Sequence, residues 1–172
     1  MNLQSNDFEL FDLPVAFALD RAQLDERWKR LQREVHPDRH AGSDAQTQRQ
    51  AMQWSVRINE AYQRLKDPLQ RAAYLCELHG AAIQAENNTA MPAAFLMQQM
   101  QWREALEEAH AAPAVEALAD EVAAARKTML ADLQHCADAQ QDWSALAGQV
   151  RSLMFVERFA RDVSQRLDQL GQ

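Results

Sequence analysis

The sequence predicts an all-α protein in which an antiparallel helical hairpin near the N-terminus is followed by a C-terminal three-helix bundle. Three observations carry this. Ala, Gln, Leu, Glu and Arg dominate a chain of 172 residues that holds only four Gly and five Pro, a composition that favours helices over strands joined by tight turns. Apolar residues recur at helical spacing on both sides of a proline-centred break: Leu24, Trp28, Leu31 and Val35 before it, and Ala51, Ser55, Ile58, Tyr62 and Leu65 after it. Beyond residue 91, three further stretches each carry one apolar stripe. Such helices, connected by short joins, bury their faces against one another as a bundle.

Taken in order, Phe8-Glu9-Leu10-Phe11-Asp12-Leu13-Pro14 reads as a short helix or turn whose Phe8, Phe11 and Leu13 pack on the hairpin. Asp20 is placed as the N-cap of the next helix, with Gln23 as its capping-box partner. That helix runs from Leu24 to Val35. Gly42 and Ser43 read as loop, and Ser43 or Asp44 caps a long helix that ends near Lys66. Asp67-Pro68 caps and starts a helix carrying Leu69, Ala72, Leu75 and Leu78, and Gly80 stops it. Residues 79–91 read as a short ordered linker, with a turn at Asn87-Asn88. Of the bundle helices, the first starts near Pro92 and runs through Glu108. The second starts after Pro113 with Val115, Leu118, Val122, Ala125, Met129, Leu133 and Cys136 on one face. The third starts near Asp142 with Leu146, Val150, Leu153, Val156, Ala160, Val163, Leu167 and Leu170. The domains are thus expected at 1–78 and 92–172.

The break between the first two long helices is Arg33-Glu34-Val35-His36-Pro37-Asp38-Arg39. Pro37 cannot continue a helix and biases His36 away from the α region. His36 and Asp38 therefore sit on a stiff loop at the tip of the hairpin, where functional residues concentrate. His36-Pro37-Asp38, followed by Ile58-Asn59-Glu60-Ala61-Tyr62 and Leu65-Lys66-Asp67-Pro68, resembles the J-domain, the module that activates DnaK-type ATPase chaperones. Helical geometry places Arg27, Lys29, Arg30 and Arg33 away from the core, leading into the tip. By itself this is a solvated charged face. The resemblance implies that these four residues, with His36, Pro37, Asp38 and Arg39, contact the chaperone. Such contacts act mostly on encounter rate and weaken with salt.

Charge is unevenly divided. Residues 1–80 carry 11 Lys+Arg against 12 Asp+Glu, whereas residues 81–172 carry 7 against 13. So acidic a second half argues against nucleic-acid binding. No apolar run approaches the ~20 residues that span a membrane, and the first residues lack a secretory or mitochondrial leader pattern, so the expected location is the cytoplasm. Cys76 and Cys136 form no CxxC pair and no ligand cluster with the five His. They read as buried thiols, and no cofactor or metal is expected.

The first bundle helix has more apolar residues than one stripe needs: Phe95, Leu96, Met97, Met100, Trp102 and Leu106. They are either all core, or include an apolar patch rimmed by Gln and Glu on which a partner docks. Phe155 and Phe159 lie beside the main stripe of the last helix. Leu75-Cys76-Glu77-Leu78-His79-Gly80, Phe95-Leu96-Met97 through Arg103-Glu104, and Val150-Arg151-Ser152-Leu153-Met154-Phe155 resemble the HscB-type co-chaperones of iron–sulfur cluster assembly, over essentially the full length. The resemblance implies two partners, a DnaK-like ATPase of the HscA type and the cluster scaffold IscU. It also implies a scaffold-binding face on Leu96, Met97, Met100, Gln101, Glu104, Glu108 and Phe155. Met100 stands where relatives often have Leu, and Gln101 where an acidic residue is common. The expected function is delivery of the scaffold to the chaperone with stimulation of its ATPase, not enzymatic catalysis. The alternative is a J-domain co-chaperone for another client. An acid–base enzyme built on His36 and Asp38 lacks any accompanying nucleophile, metal cluster or phosphate cradle.

Overall fold

The computed structural model describes residues 2–84 and 91–171. Its elements are α1 (Asp7–Leu10), α2 (Arg21–Val35), a 3-10 turn (Pro37–His40), α3 (Ala45–Lys66), α4 (Pro68–Leu78), α5 (Ala93–Glu108), α6 (Ala112–Gln134), a π-helical turn (His135–Gln140) and α7 (Trp143–Leu170). Among the described residues there is no strand, and no helix is long and apolar enough to cross a membrane. The fold is all-α, as its composition requires. The chain divides into two compact units, Met1–Leu75 and Cys76–Gln172. The division falls inside α4, whereas the sequence placed the end of the first domain at residue 78. The reason lies in residues 76–84: the Cys76 thiol faces the Trp143 carbonyl, His79 stacks on Trp143 at 3.7 Å, and Arg151 donates to the Ile83 carbonyl at 2.8 Å. The stretch 79–84, read as linker, thus packs within the second unit. The Asn87-Asn88 turn lies outside the described residues.

In the first unit, α2 and α3 form the hairpin. Leu24 and Leu31 of α2 meet Ala51, Ile58, Ala61, Tyr62 and Leu65 of α3, all buried. Asp20 caps α2 by accepting the Gln23 N–H, and Asp44 caps α3 by accepting the Thr47 N–H at 2.8 Å. The reciprocal capping box expected at Asp20 and Gln23 forms at α1 instead, between Asn6 and Glu9. Phe8, Phe11 and Leu13 are buried, fixing α1 to the hairpin. Asp7, beside them, is fully buried. Its carboxylate receives Arg57 at 2.8 Å and both the Nε and NH2 groups of Arg64. A carboxylate without solvent is tolerable only with such partners. Gly80, at φ +76, ends α4 in the left-handed region that a side chain avoids.

In the second unit, α6 and α7 supply most of the core: Val115, Leu118, Val122 and Leu133 face Leu146, Val150, Leu153, Val156, Phe159 and Val163. Asp142 caps α7 by accepting the Ala145 N–H at 3.1 Å. Before it, the chain passes through the π-helical turn and Gln141 at φ 53. α5 is different in kind. Its one fully buried side chain among the described residues is Trp102, which stacks on Phe159 at 5.7 Å and donates to Glu121 at 3.2 Å. Trp102 is the main anchor of α5, flanked by half-buried Phe95 and Leu106, and much of the remaining surface of the helix is exposed.

Candidate functional site

The hairpin tip is built around His36. α2 stops there because Pro37 follows, and His36 takes φ −58, ψ 132, the extended geometry expected before proline. Its Nδ1 accepts the Asp38 N–H at 3.2 Å, and the Arg39 N–H returns to the His36 carbonyl at 3.0 Å. Pro37 to His40 therefore form a 3-10 turn, tighter than the plain loop that the sequence suggests. The Asp38 carboxylate lies 3.5 Å from Nδ1 and is 91% exposed, so the turn presents an acid outward. The Arg39 guanidinium donates to the Arg33 carbonyl at 3.1 Å, satisfying an open carbonyl in the last turn of α2.

Two helices meet behind the tip through Asn59. Its Oδ1 accepts from Trp28 Nε1 at 3.0 Å and from Gln32 Nε2 at 2.7 Å, and Trp28 stacks on Tyr62 at 4.4 Å. Sequence reasoning singled out neither Gln32 nor this role for Asn59. The signal was present in Ile58-Asn59-Glu60-Ala61-Tyr62, where the polar pair Asn59-Glu60 sits between buried Ile58 and Ala61.

Of the expected basic arc, Lys29, Arg30 and Arg33 are exposed on α2. Arg27 departs from the expected solvated position. It is half-buried, and its guanidinium donates to the carbonyls of Phe11 and Asp12. The physical reason is its angle: about 60° from the core stripe, its long stem lies along the apolar border and its head satisfies the open end of α1.

The second face is on the bundle. Leu96, Met97 and Met100 are 46%, 61% and 72% exposed, and Phe155 of α7 is 37% exposed. Gln101, Glu104 and Glu108 are exposed along the same side of α5. Of the two readings open for the α5 apolar residues, core and surface patch, the structure divides them. Trp102 is core, Phe95 and Leu106 are half-buried, and Leu96, Met97 and Met100 are outside. Phe159 is buried while Phe155 is not, so Phe155 is the aromatic available to a partner. Sequence reasoning missed Glu107, which lies seven residues after Met100, about 20° from it around α5, and is exposed.

Residues 13–74 match the DnaJ domain family, and residues 91–164 match the HSCB C-terminal oligomerisation domain. A co-chaperone protein HscB homolog of Burkholderia thailandensis is 49% identical, covering 99% of this chain and 98% of its own. The chain belongs to the HscB family of J-domain co-chaperones. Among solved structures, the HscB chaperone of Vibrio cholerae aligns with a TM-score of 0.83 at 39% identity, over 96% of this chain and 99% of that one. Human HscB aligns with a TM-score of 0.91 at 26% identity, over 96% of this chain and 84% of that one. This HscB-family chain is thus a co-chaperone in iron–sulfur cluster assembly, with a J-domain that addresses a DnaK-type chaperone.

Proposed function

We propose that this co-chaperone holds an IscU-type scaffold protein on the α5–α7 face and delivers it to an HscA-type chaperone in the cytoplasm. The J-domain tip, His36, Pro37 and Asp38, stimulates that chaperone's ATPase. The basic side chains Lys29, Arg30 and Arg33 steer the encounter, joined by Arg39 and, from its half-buried position, Arg27. The chain catalyses no reaction of its own. Its action on the chaperone is a population shift: the J-domain binds the hydrolysis-competent state more tightly than the alternative.

The observation that carries the client half of this reading is the exposure of Leu96, Met97 and Met100 beside Phe155. Three large apolar side chains stand exposed on a helix already anchored through Trp102. Methionine suits a face that repacks against another protein. Glu104 and Glu108 extend the face with negative charge.

The test is binding of the apo scaffold to the full chain and to a Leu96→Ala, Met97→Ala double variant, by calorimetry. Affinity falls by roughly tenfold or more, as expected for truncating central apolar anchors, while stimulation of the chaperone in the absence of scaffold is retained. Unchanged scaffold affinity contradicts the proposed face.

A further inference from the structure

The α5–α7 face has a second side that the apolar patch does not explain. On α7, the Arg158 guanidinium lies 5.5 Å from the centre of the Phe155 ring. Arg103 of α5 lies 5.8 Å from the centre of the buried Phe159 ring. Among the described residues neither arginine has a carboxylate within 4.0 Å. Nor, among the described residues, does Glu104, Glu107 or Glu108, in the last turns of α5, have a cationic side chain within 4.0 Å. Arg103 and Glu107 have the i,i+4 spacing that could pair them, and in the structure they remain apart.

These charges are placed against local stability. Carboxylates at a helix C-terminus face the negative end of the macrodipole and destabilise the helix. An arginine over an exposed ring gains little at the surface. Where local rules are broken without compensation inside the fold, the compensation is sought in a function. The apolar patch is thereby flanked along α5 by three unpaired acids, with Arg103 turned towards the Phe159 ring, and on α7 by the unpaired Arg158.

We propose that Arg158 is a specificity-determining contact for the client, pairing with a carboxylate on a partner surface that presents an apolar side chain to Phe155 and a cation to the acidic end of α5. This rests on the reading that the α5–α7 face holds the scaffold. The opposite charges at the two edges fix the orientation in which the partner docks, because the reversed pose sets like charges together. Arg158 already lies over the ring, so a carboxylate docking beside Phe155 meets a guanidinium held in place.

The experiment measures binding of the apo scaffold to the full chain carrying Arg158→Ala, Arg158→Lys or Arg158→Glu, with Phe155→Ala alongside, each at low and high salt. Arg158 is exposed, and circular dichroism checks that each variant keeps its helices. Arg158→Glu weakens binding roughly tenfold or more at low salt, and the difference from the parent shrinks at high salt. Arg158→Lys retains most of the affinity, and Phe155→Ala loses it at both salts. Parent-like binding by Arg158→Glu alongside loss in Phe155→Ala overturns the role of Arg158 and leaves the face intact. Tighter binding by Arg158→Ala also overturns it, making the arginine a cover over the ring. If Phe155→Ala and Arg158→Glu both bind as the parent does, the face itself is wrong and the inference falls with it.

Discussion

The imidazole Nδ1 of His36 accepts a hydrogen bond from the backbone N–H of Asp38 at 3.2 Å. The same bond shapes the turn from which the Asp38 carboxylate projects. His36→Gln and Asp38→Asn are therefore expected to leave the helical content and the unfolding midpoint nearly unchanged, both side chains being exposed. Each loses the stimulation of chaperone ATPase, by roughly tenfold or more if the tip supplies the differential binding. Steady-state hydrolysis measures this, and full stimulation by His36→Gln removes the tip from the mechanism.

Asp7 is the opposite kind of acid. It is fully buried against Arg57 and Arg64, far from the tip in sequence. Replacing it with Ala leaves two guanidinium groups facing a space without charge. Removing one partner of such a network destabilises by about 3–5 kcal/mol. Urea unfolding of Asp7→Ala checks this, and a change no larger than that of an exposed ion pair, about 1 kcal/mol or less, contradicts the assignment.

Phe155 and Phe159 are four residues apart on α7, and they are expected to separate stability from binding. Phe159 stacks on Trp102 in the core, so Phe159→Ala destabilises by about 3–5 kcal/mol. Phe155 is partly exposed, so Phe155→Ala shifts stability by less than about 1 kcal/mol and weakens scaffold binding. Thermal melts and calorimetry on the same two samples decide it. Equal destabilisation by both contradicts the division.

Both thiols are buried. Burial pushes the Cys76 thiol up to about 11 from an ordinary 9.0, and burial also raises Cys136. The neutral thiol is the form the fold accepts. Its contribution to stability is therefore fully present below the unfolded value, near 9.0, and is lost as pH rises towards about 11. The urea midpoint is expected to fall across that window, and to fall less in Cys76→Ala. At neutral pH both thiols label slowly until the protein is unfolded. Fast labelling of both in the native state contradicts their burial.

The helices, the cap at Asp20, the cap of α3 to within Ser43 or Asp44, and the stop at Gly80 were legible because each rests on local rules: spacing, a side-chain oxygen before a helix, a glycine after one. The excess of apolar residues on α5 over one stripe was legible, but it left core and patch both open, and the family resemblance alone pointed to Leu96, Met97 and Met100 as a face. Three things were not legible. Asp7 lies in a polar opening stretch, and only the fold brings Arg57 and Arg64 to it. Arg27 was assigned to solvent by its angle, which gives the direction of a stem and not where a long side chain ends. Phe155 and Phe159 stand about 40° apart around α7, less than periodicity resolves, and the stacking of Trp102 on Phe159 chooses between them.

The measurement that bears most directly on the central claim is ATP hydrolysis by an HscA-type chaperone, alone, with this protein, with the scaffold, and with both. The account predicts stimulation by this protein, and with both a rate above the product of the separate effects, because one unit holds the client while the other acts on the chaperone. No stimulation by a folded sample contradicts it and returns His36-Pro37-Asp38 to being a turn between two helices.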